Sequence, residues 1–468
     1  MTTAPPTQDD TPGDDSEPSP PLLPARGGPG STFYALGSPA YRVLWLNASL
    51  MLTALHLGFA THNVVAYDLT GKNSSVGIIS FGIGLAILVS TPFAGAVADR
   101  MSKRLMLLLT QSLILIMAVM LSALLLTDSL TIGLMVPAVL LFGTGVSFFW
   151  PVITACMGET VEPDRQANGV ALFQVALNLT RSFAPFVGAG LVAWQVTGFT
   201  GAYIAVAIVM VGTLTTIGFI PALKDGGHPR ALKDGRPPIP PLKGPDGASI
   251  AGVEAVAAER PGMLDDLRLG LRHVRGTRRL FEALVSFIVV ILLGFSIMVV
   301  LPAFSKDVLG AGNAGFGIMF GMHAMGGLVS GLWVAARTSS PGLKKYLFVS
   351  SVAMGLSISA LALMPSFLLG VVAIFVVGAA AGAFQTLIMA SILRAAKPEY
   401  FGRVTALTNL GWALNNLVGL VLGIIADATS ERAALFGVGI VLAIVAVAIA
   451  AWAKAPDTPV MHAERMRP

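Results

Sequence analysis

Residues 162–190, EPDRQANGVALFQVALNLTRSFAPFVGAG, align with residues 397–425, KPEYFGRVTALTNLGWALNNLVGLVLGII, when the chain is shifted by 235 positions. Pro163 then meets Pro398, Gln174 meets Asn409, Arg181 meets Asn416 and Gly188 meets Gly423. With one residue of adjustment Gly95 meets Gly331, and Lys103-Arg104 falls close to Lys344-Lys345. A nearly constant offset over several segments is the mark of a duplicated chain. Each copy then holds the same elements in the same order, and counting them gives the architecture.

Those elements are apolar runs between charges. A helix that crosses the hydrocarbon core needs about 20 residues. The first half supplies Val43 to Tyr67, Asn73 to Ala98, Leu105 to Thr127, Ser129 to Gly158 and Gln166 to Leu223. The last run is interrupted only by Arg181 and is too long for one helix, and Thr197-Gly198 marks a turn inside it. The second half supplies Ala283 to Ser305, Val308 to Ala336, Tyr346 to Leu393, Val404 to Ala426 and Ala433 to Ala453, with Met364-Pro365-Ser366 dividing the longest. The expected fold is an all-α membrane protein of twelve transmembrane helices in two pseudo-symmetric six-helix bundles. Because six is even, both bundles have one orientation and are related by an axis along the membrane normal. Such parallel repeats place a substrate site near the midplane where they meet.

Composition excludes a soluble domain. The chain is 54% hydrophobic and 12% charged, with mean hydropathy +0.77, where soluble domains carry about 25% charged residues. A net charge of +5 and a pI near 9.4 could point to nucleic acid, but the basic residues sit in short loops beside apolar spans. One set of loops carries Arg100, Lys103, Arg104, Arg165, Arg337, Lys344, Lys345, Arg394, Lys397 and Arg403 besides the basic central segment. The opposite set carries only Lys72, Lys306 and Arg432. This bias predicts a multi-pass protein of the cytoplasmic membrane with both termini in the cytoplasm, and no nucleic-acid partner. The lone Cys156 can form no internal disulfide and reads as a small packing residue.

Residues 1–38, rich in Pro, Ser, Gly and Asp, have neither the basic start nor the apolar core of a signal peptide and read as a disordered cytoplasmic tail. Residues 39–223 form the N-terminal bundle, 224–278 a cytoplasmic linker, 279–454 the C-terminal bundle and 455–468 a cytoplasmic tail. The linker begins KDGGHPRALKDGRPPIPPLKGPDG and then changes to GMLDDLRLGLRHVRGTRRLF. There Met263, Leu267, Leu271 and Val274 share a helical face, with Arg268, Arg272, Arg275, Arg278 and Arg279 among them. That pattern fits a basic amphipathic helix on anionic lipid, or equally a solvated helix docked under the bundle.

The loop between the second and third helices reads GAVADRMSKR, residues 95–104. It resembles the G-x-x-x-D-R-x-G-R-R signature of the major facilitator superfamily, with Gly95, Asp99, Arg100 and Arg104 matching. Ser102 replaces the usual Gly, and Lys103 a frequent Arg, which implies a stiffer loop. Such a loop acts as a gate, with Asp99 pairing to basic groups in one state and releasing them when the halves rock. Gly402 and Arg403 in FGRVTAL, which opens the eleventh helix, are assigned to the same gate. On the bland alternative these basic residues only set topology.

On the fifth helix Gln174, Asn178, Arg181, Pro185 and Gly188 recur at three and four residue spacing and share one face. A midplane Arg costs about 2.5–3.5 kcal/mol on insertion scales, so Arg181 must face a cavity or a partner. It can hold an anionic substrate group, with Asn409 and Asn416 approaching from the other half, or it can cap neighbouring helix carbonyls. The segment NLTRSFAPFVGAG resembles the Gly-Pro signature of the fifth helix in superfamily exporters, with Ala184 in place of Gly. YRVLWLN, YDLTGKNSSVG and LPAFSKDVLGAG add to a resemblance, over most of residues 41–453, to the branch that contains macrolide and enterobactin exporters. That resemblance implies alternating access and efflux of a small amphipathic molecule.

Proton antiport generally needs an ionisable group inside the membrane. No Asp or Glu lies at mid-span, since Asp68, Glu159, Glu282 and Asp427 are all near helix ends. His56 and His323 lie near the centres of the first and eighth helices and are the remaining candidates, against the alternative of hydrogen-bonded packing residues. The Arg that proton-coupled drug exporters often carry in the fourth helix is absent. No phosphate loop, zinc spacing or nucleophile elbow is present, so neither an enzyme nor a cofactor or metal is expected. An importer or facilitator, or a membrane sensor that does not turn over, are the rival functions. The expected partners are a small-molecule substrate and the bilayer, with the protein a monomer.

Overall fold

Ser38 starts the first span: its side chain accepts a hydrogen bond from the Tyr41 amide, and Pro39 takes the first helical position, where its missing N–H is not needed. The resulting helix, α1 (Pro39–Thr70), stops at Gly71, whose φ of +65° lets its amide return to the Tyr67 carbonyl at 2.7 Å. The computed structural model describes residues 33–98, 101–161, 165–193, 198–220, 274, 277–336, 343–395 and 401–454. The first half continues with α2 (Asn73–Ala98), α3 (Lys103–Leu126), α4 (Ile132–Thr160), α5 (Gln166–Ala193) and α6 (Gly198–Ile217). The second holds α7 (Arg278–Gly294), α8 (Gly315–Ala335), α9 (Leu343–Ala362), α10 (Phe367–Ala395), α11 (Phe401–Ala428) and α12 (Glu431–Lys454). Twelve spans are long and apolar enough to cross a membrane, as the charge-free runs predict. The expected linker helix over 263–279 falls largely outside the described residues.

One span departs from the sequence reading. Beyond Gly294 the seventh span continues as a 3-10 turn (Ser296–Val299), a helical turn (Leu301–Ala303) and a π turn (Phe304–Val308). Pro302 has no N–H to donate, and Gly294 admits Met354 of α9 against the backbone, so the regular ladder breaks.

The packing repeats between halves. α2 packs on α4 as α8 packs on α10, α3 on α6 as α9 on α12, and α1 on α5 as α7 on α11. The halves join along α2 with α11 and along α5 with α8. Glycines allow these seams. Gly77 and Gly84 of α2 lie against Leu420 and Asn416, while Gly317 and Gly321 of α8 lie against Ala189 and Phe186. Without a hydrophobic drive between helices in lipid, such close backbone approach supplies the dispersion contact that holds them. Outward faces leave Leu126, Ile208 and Leu368 between 66% and 73% exposed, as contact with acyl chains requires.

The YRVLWLN segment has a structural meaning in this packing. The Tyr41 hydroxyl donates to the Gly169 carbonyl at 2.5 Å and Trp45 Nε1 to Leu172 at 3.0 Å, which ties α1 to α5. Asn47 Nδ2 donates to the Thr213 carbonyl and the Thr216 hydroxyl, both at 2.9 Å, and Gln111 Nε2 donates to Asn47 Oδ1 at 2.9 Å. Asn47, Gln111 and Thr213 are fully buried, and the network binds α1, α3 and α6 together. Asn47→Ala leaves Gln111 short of a partner, so it should lower stability by about 1–3 kcal/mol, read as a drop in thermal unfolding temperature in detergent.

Candidate functional site

Three side chains from three helices converge at mid-depth between the halves. Gly188 of α5 rests on Leu57 of α1, and Gly317 and Gly321 of α8 rest on Pro185, Ala189 and Phe186 of α5. Those contacts bring the middles of α1, α5 and α8 to one level, and with them His56, Arg181 and His323. The Arg181 charge acts on both imidazoles. Arg181 lies deep in the bundle, with part of its side chain still accessible. It makes no hydrogen bond or ion pair with any described residue, helix carbonyls included. His323 is 2% exposed, and neither of its ring nitrogens has a partner. His56 comes near the Leu52 carbonyl on its own helix, but its Nδ1 makes no well-formed hydrogen bond.

Aromatic rings stand beside this group. Phe295 lies edge-on to His323 at 5.9 Å and to Trp412 at 5.0 Å, and Phe59 meets Phe320 across the halves at 5.8 Å. Toward the end of the bundle that carries the termini, α5 continues as a polar track, with Asn178 half-buried and Gln174 exposed. Val170 and Ala171 are exposed on the same stretch, and Trp150 of α4 is 38% exposed. An exposed track of α5 therefore runs from this group toward the termini.

The opposite end is tied shut. Lys306 Nζ pairs with Asp68 at 2.6 Å, and the Tyr67 hydroxyl donates to Asp307. The Asp427 carboxylate takes the amides of Asn73 at 2.7 Å and Ser74 at 2.9 Å, and Asn73 Nδ2 donates to Glu431 at 2.9 Å. Asp427 of α11 thus caps the N-terminus of α2 from the other half, where the helix dipole favours negative charge. All these bonds join the two halves. Sequence reasoning set Asp68 and Asp427 aside as helix-end residues. The signal available was that YDLTGKNSSVG and LPAFSKDVLGAG each carry an acid and a base at loops on one face.

The sequence profile of the Major Facilitator Superfamily matches residues 43–419 and, again, 287–467. The chain belongs to the major facilitator superfamily. Its fold is similar to that of the nucleoside transporter NupG, with a TM-score of 0.62 and 16% identity over 89% of this chain and 100% of that one. A POT family transporter in complex with a thioalcohol-conjugated peptide aligns with TM-score 0.64 and 15% identity over 88% and 96% of the two chains. A bacterial homologue of the human lysosomal transporter Spinster, in an inward-facing and unoccupied conformation, gives 0.66 and 12% over 91% and 98%. No curated protein matches the chain in sequence. At such identities the likeness is one of fold.

The other residues singled out in this facilitator are placed differently. Asn416 does not stand across from Arg181 but in the other seam, its side chain over Gly84 and its Nδ2 donating to the Trp412 carbonyl at 3.3 Å. The duplication explains this. α11 pairs with α2 as α5 pairs with α8, so equivalent positions serve opposite seams. Asn409, Gly402 and Arg403 lie on α11 and Gly95 on α2, while Asp99 and Arg100 fall outside the described residues. Lys103 and Arg104 open α3, and Ser102, where the superfamily loop usually has Gly, accepts a hydrogen bond from the Leu105 amide at 3.3 Å as the N-cap. Cys156 is buried among apolar neighbours of α4.

Proposed function

We propose that this transporter exports a small amphipathic molecule across the cytoplasmic membrane by alternating access, like the macrolide and siderophore exporters its motifs resemble. What supports the reading is a mid-depth polar site, with an exposed track of α5 running from it to the termini side and a cross-half latch at the other side. The Lys and Arg bias assigns the termini side to the cytoplasm. In this state the site loads from the cytoplasm, and release of the latch would deliver cargo outward. His56 and His323, next to Arg181, are the groups proposed to couple export to protons, because no carboxylate stands with them among the described residues. The GAVADRMSKR loop is the proposed gate on the cytoplasmic side.

The test is intracellular accumulation of a panel of amphipathic antibiotics and siderophores in cells with and without the gene. Export predicts lower accumulation with the gene. Higher accumulation would mean import, and equal accumulation across the panel would contradict transport of this class.

Topology has its own test. Cysteines placed at Gly226 and at Gly310, each in a Cys156→Ala background, should differ toward an impermeant maleimide applied outside, with Gly310→Cys alone labelled. Equal labelling of the two would overturn the orientation.

A further inference from the structure

We infer that Arg181, His56 and His323 form a receptor for a singly charged oxyanion borne on a flat apolar body, the chemistry of an aromatic carboxylate. This rests on the transport reading above and names its substrate class. A guanidinium at mid-depth keeps its charge and needs a counter-ion or solvent. Arg181 has no counter-ion among the described residues. The described carboxylates closest to the seams are engaged elsewhere: Asp68 with Lys306, Asp307 with Tyr67, Asp427 with the N-terminus of α2 and Glu282 with Arg278. Cargo is the partner this leaves open among the described residues, and one uncompensated cation in a low-dielectric site balances one negative charge and not two.

The two imidazoles narrow the chemistry further. A neutral imidazole offers one N–H donor and one acceptor, and an unpaired buried polar group is costly. Both nitrogens of His323 and Nδ1 of His56 stand unpaired. An oxyanion clamped by Arg181 presents a second oxygen that an imidazole N–H can reach, and adjoining hydroxyl or N–H groups of the cargo would satisfy the remaining acceptors. Around them stand Phe59 of α1, Phe320 of α8, Trp412 of α11 and Phe295 just past the end of α7; Phe295 and Phe320 are buried, so Phe59 and Trp412 offer the more accessible flat apolar faces. Rings in offset or edge-on contact with such faces are held by dispersion and quadrupole terms. Charge recognition and stacking lie next to each other, so the cargo carries its acid directly on, or within a bond or two of, its ring system.

The experiment uses the full-length protein in lipid nanodiscs and a series of isosteric pairs: benzoate with benzamide, 2-naphthoate with 2-naphthamide, and 2-anthracenecarboxylate with its amide. Binding is read from intrinsic tryptophan fluorescence, with Trp412 as the nearby reporter. Wild-type protein should bind at least one acid about tenfold or more tightly than its amide, the scale set by losing one partner of a buried charge pair. Arg181→Gln should bring that ratio close to one, and Arg181→Lys should keep part of it. His323→Gln should weaken acid binding and leave the ratio above one. If Arg181→Gln does not fold, the wild-type ratio still decides. Equal binding of acid and amide in every pair, no binding by any acid, or a preference that survives Arg181→Gln would overturn the anion receptor. Drug efflux that persists beside such a result would overturn this inference alone and leave the transport reading standing.

Discussion

Replacing Asp427 with alanine should shift the resting equilibrium of this transporter toward the form open at the end opposite the termini, by roughly tenfold. The carboxylate accepts two backbone N–H bonds from Asn73 and Ser74 across the halves. Bonds to a charged group contribute about 1.5–3 kcal/mol, and Asp427 is partly open to water, so the low end applies. About 1.4 kcal/mol is tenfold in a population. Asp68→Asn should do less, within about threefold, because both members of the Lys306 pair are one-third exposed and such pairs are worth under about 1 kcal/mol. The measurement is the rate at which an impermeant maleimide, applied from that side, modifies a single cysteine at Asn178 in a Cys156→Ala background. A rate unchanged by Asp427→Ala would remove the latch from the account.

Gly378→Ala should be among the most damaging single changes outside the site. A Cβ there would fall on the His323 carbonyl, with no flexible side chain to yield, so α8 and α10 must part. Overpacking of a tight seam costs typically about 1–3 kcal/mol. The same shift would displace His323 from Arg181, so thermal stability and ligand binding should fall together. Gly437 of α12 is the control, since a Cβ there meets nothing. Gly437→Ala should be neutral or raise stability by up to about 1 kcal/mol through helix propensity. Comparable losses for both glycines would mean that the α8–α10 seam is not tight at Gly378.

Hydropathy and charge made most of the fold legible, because crossing a membrane demands long apolar runs and leaves little else for a sequence to do. The duplication was legible because close helix contacts keep glycine, as at Gly188 against Leu57 of α1 and at Gly423 against the Asn73 carbonyl of α2. The break after Gly294 was not legible, because Ser, Ile, Met and Val there are as apolar on average as a regular helix would be. Arg181 and His323 were found as intramembrane ionisable groups, which are rare enough to stand out. Their convergence was not readable, since it depends on which glycines let α5 approach α8. Asn416 shows the limit of the repeat: symmetry assigned it a position, and the seam with α2 gave that position a packing role. The latch was missed because a carboxylate at a helix end looks like topology until its partner in the other half is known. Tyr67, Asp68, Lys306 and Asp307 are 240 or so positions apart in the chain and meet only through the fold.

Single-molecule energy transfer between dyes at Ser129 and Ser366, two exposed positions in loops of opposite halves at the latched end, tests the central claim most directly. The full chain in nanodiscs should show two exchanging distances, the shorter one dominant, and Asp427→Ala should populate the longer one. A single distance, the same in wild type and in Asp427→Ala, would mean that the halves do not rock and that this closed end is not a gate.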